Sequence, residues 1–372
     1  MNPVLSDNGA STAEPAGAAQ FRIGNRPIGE SEPTYFIADL GANHDGQLER
    51  AKLLIRLAKE AGADAAKFQH FRAPTIISDR GFQDLGQLSH TAKWKKSVYD
   101  VFDECALPYE WTPELKACCD EAGIDFLSTP YDMDAVDLLD PLVPAYKIGS
   151  GDITWPALLG KVASKGKPVI LATGASDLAD VGRAVRLFED EKSSVALLQC
   201  NSNYTGKIDN FKHIHLNVLR SFRAMFPEVV LGLSDHTPGH ATVLGAVALG
   251  GRVIEKHFTD DTSRPGPDHH FAMDPRTWRD MVDRTRELEL ALGETEKYVA
   301  RNEQDTVVVQ RRCLRATRDL EPGAVLTSED IEALRPAPRG AIFPYDLDKL
   351  IGRRVLNPVY RGQYFSWDML ND

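Results

Sequence analysis

The sequence predicts an α/β protein: a (β/α)8 barrel followed by a small β-rich C-terminal domain. Three observations lead to that class. From Thr34 onward a strand-like apolar run and a run of helical spacing alternate eight times, over about 260 residues, which is the size of one such barrel. The first turn reads G-A-N-H-D-G, not the G-x-G-x-x-G that a doubly wound dinucleotide-binding sheet would place there. After Gly293 the texture changes, first to a charged connector and then to short strand-like pieces broken by Pro and Gly.

The elements follow in order. Residues 1–30 lack the basic start and apolar core of a signal peptide and read as a flexible tail. The first strand is Y-F-I-A-D (Tyr35–Asp39), and the helix after it runs from Gln47 to Gly62 with apolar residues at helical spacing. The second strand is A-D-A-A-K-F-Q. A long insert, residues 70–113, carries a Trp/Lys patch around Trp94 that reads as a solvated helix face or lid. The remaining strands are D-F-L-S-T-P, A-Y-K-I-G-S-G, P-V-I-L-A-T-G, V-A-L-L-Q-C, V-V-L-G-L-S-D-H and R-V-I-E-K-H-F. A helix is expected near His213–Phe226, and a final amphipathic one at Pro275–Leu292. The barrel is thus expected over residues 31–292, a connector over 293–311 and the small domain over 312–372.

Composition narrows the functional classes. The 372 residues carry 42% hydrophobic and 26% charged residues, as a globular enzyme does, and a formal net charge of -11. That charge argues against a general nucleic-acid or anionic-membrane binder, so any anionic substrate must be met by local positive charge. No run approaches the ~20 apolar residues of a membrane span. The five cysteines show no C-x-x-C spacing, which points to reduced thiols and a cytoplasmic location.

In such a barrel the strand C-termini face the active site, and the residues expected there are polar. Two strands end in histidine, His236 and His257. Alternation along a strand puts Ser234 on the face of His236 and Glu255 on that of His257, and sends Lys256 to the outside. Two imidazoles at matching ends of neighbouring parallel strands can hold a metal ion. The other strands bring Asp39, Lys67, Gln69, Thr129, Lys147, Ser150, Thr173 and Gln199, with Asn43, His44, Ser202 and Tyr204 just beyond. A lysine within a strand is costly to bury unless paired. Two of them, Lys67 and Lys147, among hydroxyls and amides form a phosphate or carboxylate clamp, or one is a Schiff-base lysine. Cys200 reads as a small buried apolar residue and His44 as a loop-shaping one.

Taken together, A-D-L-G-A-N-H-D-G, A-A-K-F-Q, F-L-S-T-P, A-Y-K-I-G-S-G, L-A-T-G, G-L-S-D-H-T, E-K-H-F-T-D and R-P-G-P-D, in that order, resemble the N-acetylneuraminate (sialic acid) synthase family. The C-terminal E-P-G-A-V-L-T-S-E-D-I looks like its antifreeze-like SAF domain. The resemblance implies condensation of phosphoenolpyruvate with N-acetylmannosamine or a related acetamido sugar, with release of phosphate. It implies Mn2+ or Mg2+ on His236 and His257. Contacts to phosphoenolpyruvate would come from Lys67, Gln69, Thr129, Lys147, Ser150 and Ser234, and Ser202, Tyr204, Glu255 and Asp268 would serve the sugar side. Glu255 is then the acid/base candidate, beside Asp39, Lys147 and Tyr204. Arg335 would act on the partner's active site in a domain-swapped homodimer. Two departures stand out: Asp39 replaces the family's Glu, and N-S-N-Y-T-G replaces Tyr-Pro after the sixth strand. The second leaves a diacetamido-trideoxyhexose, giving legionaminic or pseudaminic acid, as an alternative acceptor. Two further readings are a synthase using a sugar phosphate, disfavoured by the SAF-like tail, and a non-catalytic carbohydrate- or ice-binding module, disfavoured by the lysines and paired histidines.

Overall fold

The computed structural model describes residues 19–85 and 96–371. The chain divides into two compact units, Met1–Gly293 and Glu294–Asp372.

The first unit opens with an antiparallel hairpin, β1 (Gln20–Ile23) and β2 (Arg26–Gly29), which turns at Gly24–Asn25. Eight parallel strands follow: β3 (Tyr35–Asp39), β4 (Ala65–His70), β5 (Asp125–Pro130), β6 (Tyr146–Ile148), β7 (Val169–Ala172), β8 (Val195–Cys200), β9 (Val230–Asp235) and β10 (Val253–His257). Hydrogen-bonded order is β5-β4-β3-β10-β9-β8-β7-β6. The two end strands, β5 and β6, also lie side by side, which closes the barrel.

Period-two alternation sorts each strand into two faces. Phe36, Ala38, Ala66, Phe68, Phe126, Leu197, Leu231 and Ile254 pack outward beneath the helices. Tyr35, Ile37, Ala65, Leu127, Ile170, Leu198, Val230 and Val253 fill the lower lumen together with Ile23 and Ile28 of the hairpin. The hairpin therefore caps the N-terminal end of the barrel, and the expected tail over 1–30 is corrected for its last third. The alternating Phe21, Ile23 and Ile28 have an apolar lumen floor to cover. Helix Pro275–Leu292 has the predicted bounds because Asp274 and Thr277 form a reciprocal capping box and Pro275 occupies the first turn. The helix expected near 213–226 starts later, at Val218–Met225, after a 3-10 turn over Ile208–His213. The insert carries helices Ala73–Ile76, Asp79–Leu85 and Val98–Cys105. Trp94 lies outside the described residues, and Lys96 pairs with Glu104 at the surface.

The second unit holds two antiparallel pairs, β11 (Cys313–Ala316) with β12 (Ile331–Leu334) and β13 (Arg354–Val355) with β14 (Leu370–Asn371). Its own core comprises Leu314, Leu320, Leu326, Ile342, Leu350, Val355, Val359 and Phe365. The expected connector includes a short helix, Gln304–Gln310. Among the described residues no helix is long and apolar enough to cross a membrane, and all five cysteines are free.

Lys256 corrects the expectation of an outside position. Its side chain leaves the lumen but is buried under the helices, where it pairs with Asp235 and donates to the Thr237 carbonyl at 2.6 Å. Asp235 also accepts from Thr242 at 2.7 Å and from Thr237 at 2.8 Å. Burial raises the Asp235 carboxyl, but Lys256 and the two hydroxyls outweigh it and hold the group below its ordinary range. Removing one partner of such a pair strands a buried charge. Lys256→Met is therefore predicted to lower the unfolding free energy by roughly 3–5 kcal/mol in denaturant titration.

Acid should also unfold this protein through two neutral histidines. His70 sits between Ser128 Oγ at 2.7 Å and Thr112 Oγ1 at 2.8 Å, and burial pushes its imidazole down to about 3. Burial likewise takes His44 down to about 4, against the opposing pull of Asp45. Both folded values lie below the unfolded one of about 6.5. Unfolding then takes up protons, so this stability is complete above about pH 6.5 and is lost as pH falls toward 4. His70→Gln should flatten the decline of the melting temperature between pH 7 and 5; an unchanged slope would contradict the assignment.

Candidate active site

The strand register stacks the polar mouth in layers. Asp39 pairs laterally with Lys67 on one side and His257 on the other. Gln69 lies beside Thr129, Glu255 beside Ser234, and Ser234 beside Cys200. Parallel strands in register thus deliver these side chains to one end of the lumen, above the apolar floor.

Lys67 Nζ lies 2.8 Å from Asp39 Oδ2 and 3.6 Å from Glu255 Oε1. Lys147 Nζ is also 3.6 Å from Glu255 Oε1 and donates to the Ile148 carbonyl at 2.9 Å. Ser234 Oγ donates to the same Glu255 oxygen at 3.1 Å, and Gln69 Nε2 donates to Asp39 Oδ2 at 3.3 Å. Both ammonium groups are almost fully buried. Burial alone would lower the Lys67 ammonium, but Asp39 and Glu255 more than compensate and raise it. Asp39 is correspondingly held low: burial pushes it up, but the charges of Lys67 and His257 prevail. Lys147 goes the other way. Burial and the like charge of Lys67 push it down, and Glu255 offsets only part of this. Lys147 is thus the less fully compensated of the two ammoniums.

Several buried polar atoms at this same end have no hydrogen-bond partner within the protein: Asn43 Oδ1, Thr129 Oγ1, Asp152 Oδ2, Asn201 Oδ1, Glu255 Oε2 and His257 Nδ1. Buried polar groups are normally satisfied. Their concentration around the lumen mouth marks a place built for a polar ligand.

The imidazoles of His236 and His257 lie with ring centroids 5.5 Å apart. Tyr204 stands edge-on to His236 at 4.5 Å, and Phe271 contacts the rings of Tyr204, His236 and His257. Asp268 Oδ2 is 3.7 Å from His257 Nδ1 and accepts from the Ala42 amide at 3.2 Å. Gly41 permits this approach, since a Cβ there would lie 2.7 Å from Asp268 Oδ2. A second glycine, Gly174 of L-A-T-G, would place a Cβ 2.1 Å from Ser202 Oγ and 2.9 Å from Ser150 Oγ. The loops after β6, β7 and β8 can converge only because nothing larger than hydrogen stands there, and Ser150 Oγ accepts from the Gly174 amide at 2.9 Å.

His236 and His257 suit a divalent ion. The Nδ1 of His236 is engaged with the Asn201 carbonyl at 3.0 Å, which leaves Nε2 as its donor atom. His257 has the orphaned Nδ1, with Asp268 behind it and Asp39 Oδ2 3.3 Å from Nε2. Among the described residues no group of three or more His, Cys, Asp or Glu side chains is gathered for a metal. These side chains therefore offer two nitrogen donors and leave further coordination to oxygen ligands from solvent or substrate.

Asp39, Lys67, Gln69, Thr129, Lys147, Ser150, Ser202, Tyr204, Ser234, His236, Glu255, His257 and Asp268 all lie at this end of the barrel. Arg335 belongs to the second unit, exposed just after β12. Gln199 does not face the lumen; it donates outward to the Ile214 carbonyl at 2.9 Å. Cys200 is more than a small apolar residue. Burial raises its thiol, but hydrogen bonds with His236, Ser150 and Ser234 bring it below its usual range. The sequence reading missed Asp152 and Phe271. Asp152 is lifted to about 6 by burial, against the pull of Lys147. Its place two residues beyond Ser150 was the available signal. Phe271 follows the R-P-G-P-D loop and could be found only through its ring contacts.

Comparison with known proteins agrees with this geometry. Residues 54–297 match the NeuB family and residues 311–371 match the SAF domain. The chain is 34% identical to the N,N'-diacetyllegionaminic acid synthase of Legionella pneumophila, across 93% of this chain and 97% of that protein. It is 30% identical to the human N-acetylneuraminate-9-phosphate synthase, across 90% and 92%. A solved N-acetylneuraminic acid synthetase from Leptospira borgpetersenii, in complex with citrate, superposes with a TM-score of 0.68 at 28% identity, covering 78% of this chain and 96% of that one. With a barrel whose mouth carries buried lysines and paired histidines, and a match over most of its length, the chain belongs to the NeuB family of synthases.

Proposed function

We propose that the barrel mouth condenses phosphoenolpyruvate with the aldehyde form of an N-acetylated amino sugar, releasing phosphate and forming a nonulosonic (sialic-type) acid. The observation that carries this reading is the juxtaposition of two buried ammoniums, Lys67 and Lys147, with the histidine pair. The ammoniums suit a small dianion or trianion, and the imidazoles suit the carbonyl partner. The names of the Legionella and human relatives supply the product class.

The residues divide the work. Lys67, Lys147, Thr129, Ser150, Gln69 and Ser234 hold the carboxylate and phosphate, and in a buried site such preorganised donors act strongly. A divalent ion, Mn2+ or Mg2+, on His236 and His257 would polarise the sugar aldehyde as a Lewis acid. C3 of the enol phosphate bonds to the aldehyde carbon, the electron pair of the enol double bond is consumed, and C2 becomes an oxocarbenium. Water adds at C2, and the tetrahedral carbon then expels phosphate. Glu255, whose Oε2 has no hydrogen-bond partner in the protein, would give a proton to the aldehyde oxygen or take one from the water. Asp39 keeps Lys67 charged, and its carboxylate reaches one methylene less far than the family's Glu; a second water would bridge the gap if it activates water.

Ser202, Tyr204 and Asp268 take the sugar side. The N-S-N-Y-T-G loop favours a second acceptor class, a diacetamido-trideoxyhexose giving a legionaminic- or pseudaminic-type acid. In the same reading the protein works in the cytoplasm as a domain-swapped homodimer, and Arg335 completes the sugar site of the partner.

The test is phosphate release from phosphoenolpyruvate with Mn2+ and a panel of N-acetylmannosamine, its 6-phosphate and diacetamido sugars. One acetamido sugar should turn over, a chelator should abolish turnover and Mn2+ should restore it; no release with any acceptor contradicts the proposal. Lys67→Met should lower kcat/KM by about a thousandfold or more. Arg335→Ala should weaken the sugar and leave phosphoenolpyruvate binding nearly unchanged. Mixing it with His236→Ala should restore part of the activity if the arginine acts across subunits, whereas additive loss argues for action within one chain.

A further inference from the structure

A set of charged side chains next to the reacting residues has no part in the chemistry above, yet it is closely interlocked, with Arg50 and His269 buried and Asp45, Asp260 and Arg264 half-buried. It joins the loop after β3 to the loop after β10. Asp45 is at its centre. Its Oδ1 accepts from His269 Nε2 at 2.9 Å, and its Oδ2 accepts from Arg264 Nε at 2.9 Å and Nη2 at 2.7 Å. Arg50 Nε lies 3.1 Å from the same Oδ2 and donates to the Asn43 carbonyl at 2.8 Å, while its two terminal nitrogens grip Asp260. His269 is fully buried, and its other nitrogen meets Thr259 Oγ1 at 2.7 Å. Both ring nitrogens are therefore used, and the ring cannot turn without breaking a bond.

The residues beside His269 are those that reach the site. Asp268 precedes it and stands on His257, and Phe271 follows two residues later against Tyr204, His236 and His257. A clamp on His269 therefore fixes the acceptor wall of the pocket. The lysine wall is held by other bonds, to Asp39 and Glu255, and contains none of these groups.

We propose that Asp45 is a positioning residue: by gripping His269 and Arg264 it locks the 259–273 loop so that Asp268 and Phe271 face the sugar. The backbone supports an Asp here, because Asp45 has φ 51°, a left-handed conformation that Asp, Asn and Gly tolerate better than other residues. Asn is the informative replacement. It keeps the backbone conformation and most of the volume, but removes the negative charge that faces two guanidinium groups. The effect on catalysis rests on the synthase reading; the effect on the loop does not.

Two measurements on the full-length protein separate these. Hydrogen exchange of amides in residues 259–273 should quicken by about tenfold or more in Asp45→Asn, with the barrel strands unchanged. Arg264→Met, which opens the half-exposed side of the clamp, should quicken the same amides by a smaller factor. In steady-state kinetics Asp45→Asn should raise the KM for the acceptor sugar by about 10–100-fold, and leave the KM for phosphoenolpyruvate within about twofold. Unchanged exchange in both variants overturns the clamp. A lowered melting temperature with both KM values unmoved shows a merely structural network and overturns the positioning role. Failure of the synthase reading looks different, because the unsubstituted protein would then turn over no acetamido sugar while the exchange result still stands.

Discussion

The structure turns on one electrostatic arrangement: two ammonium groups and two carboxylates, Lys67, Lys147, Asp39 and Glu255, buried together in the lumen of a barrel. Each charge taken out of water costs several kcal/mol unless it is compensated. Lys67 is compensated, lying between Asp39 and Glu255. Lys147 is compensated less, because it shares Glu255 with Lys67 and the two ammoniums repel. The fold meets the cost by closing eight parallel strands, so that Asp39 and Lys67 come from neighbouring strands and Glu255 meets both lysines from across the lumen. Below them the apolar floor and the capping hairpin keep water from entering at the N-terminal end. The residual imbalance is what an anionic substrate would relieve.

Around that centre the loops perform a second task. Glycines at 41 and 174 let neighbouring loops approach more closely than any side chain would allow. The clamp built on Asp45 then ties the first loop to the last, across the seam where β3 meets β10. The mouth thereby acquires a lysine side and a separately held histidine side. That division suits a family whose named members are synthases of different sugar acids.

Much of this was legible in the sequence, and the reasons are physical. Barrel strands are buried on both faces, so they stand out as short apolar runs, and a polar residue within such a run must be paired or functional. That made Lys67, Lys147, Glu255 and the two histidines visible without coordinates. Alternation then placed Ser234 with His236, and Glu255 with His257. It also sent Lys256 away from the lumen, but alternation cannot tell a solvated outside from one covered by helices, so the buried pair with Asp235 went unseen. The hairpin was missed because two four-residue strands carry too little pattern to stand out from a polar N-terminus. Asp152 and Phe271 lie in single 3-10 turns, too short for any periodicity to say which way a side chain points. The clamp around Asp45 joins residues more than 200 positions apart and leaves no local trace.

In the proposed reaction the lysine side of the mouth receives the enol phosphate and the histidine side receives its partner. A crystal structure with phosphoenolpyruvate and Mn2+ tests it most directly. The carboxylate and phosphate should lie on Lys67, Lys147, Thr129 and Ser150, and the ion on His236 and His257. Phosphoenolpyruvate bound away from both lysines, or an ion bound without either histidine, would contradict it.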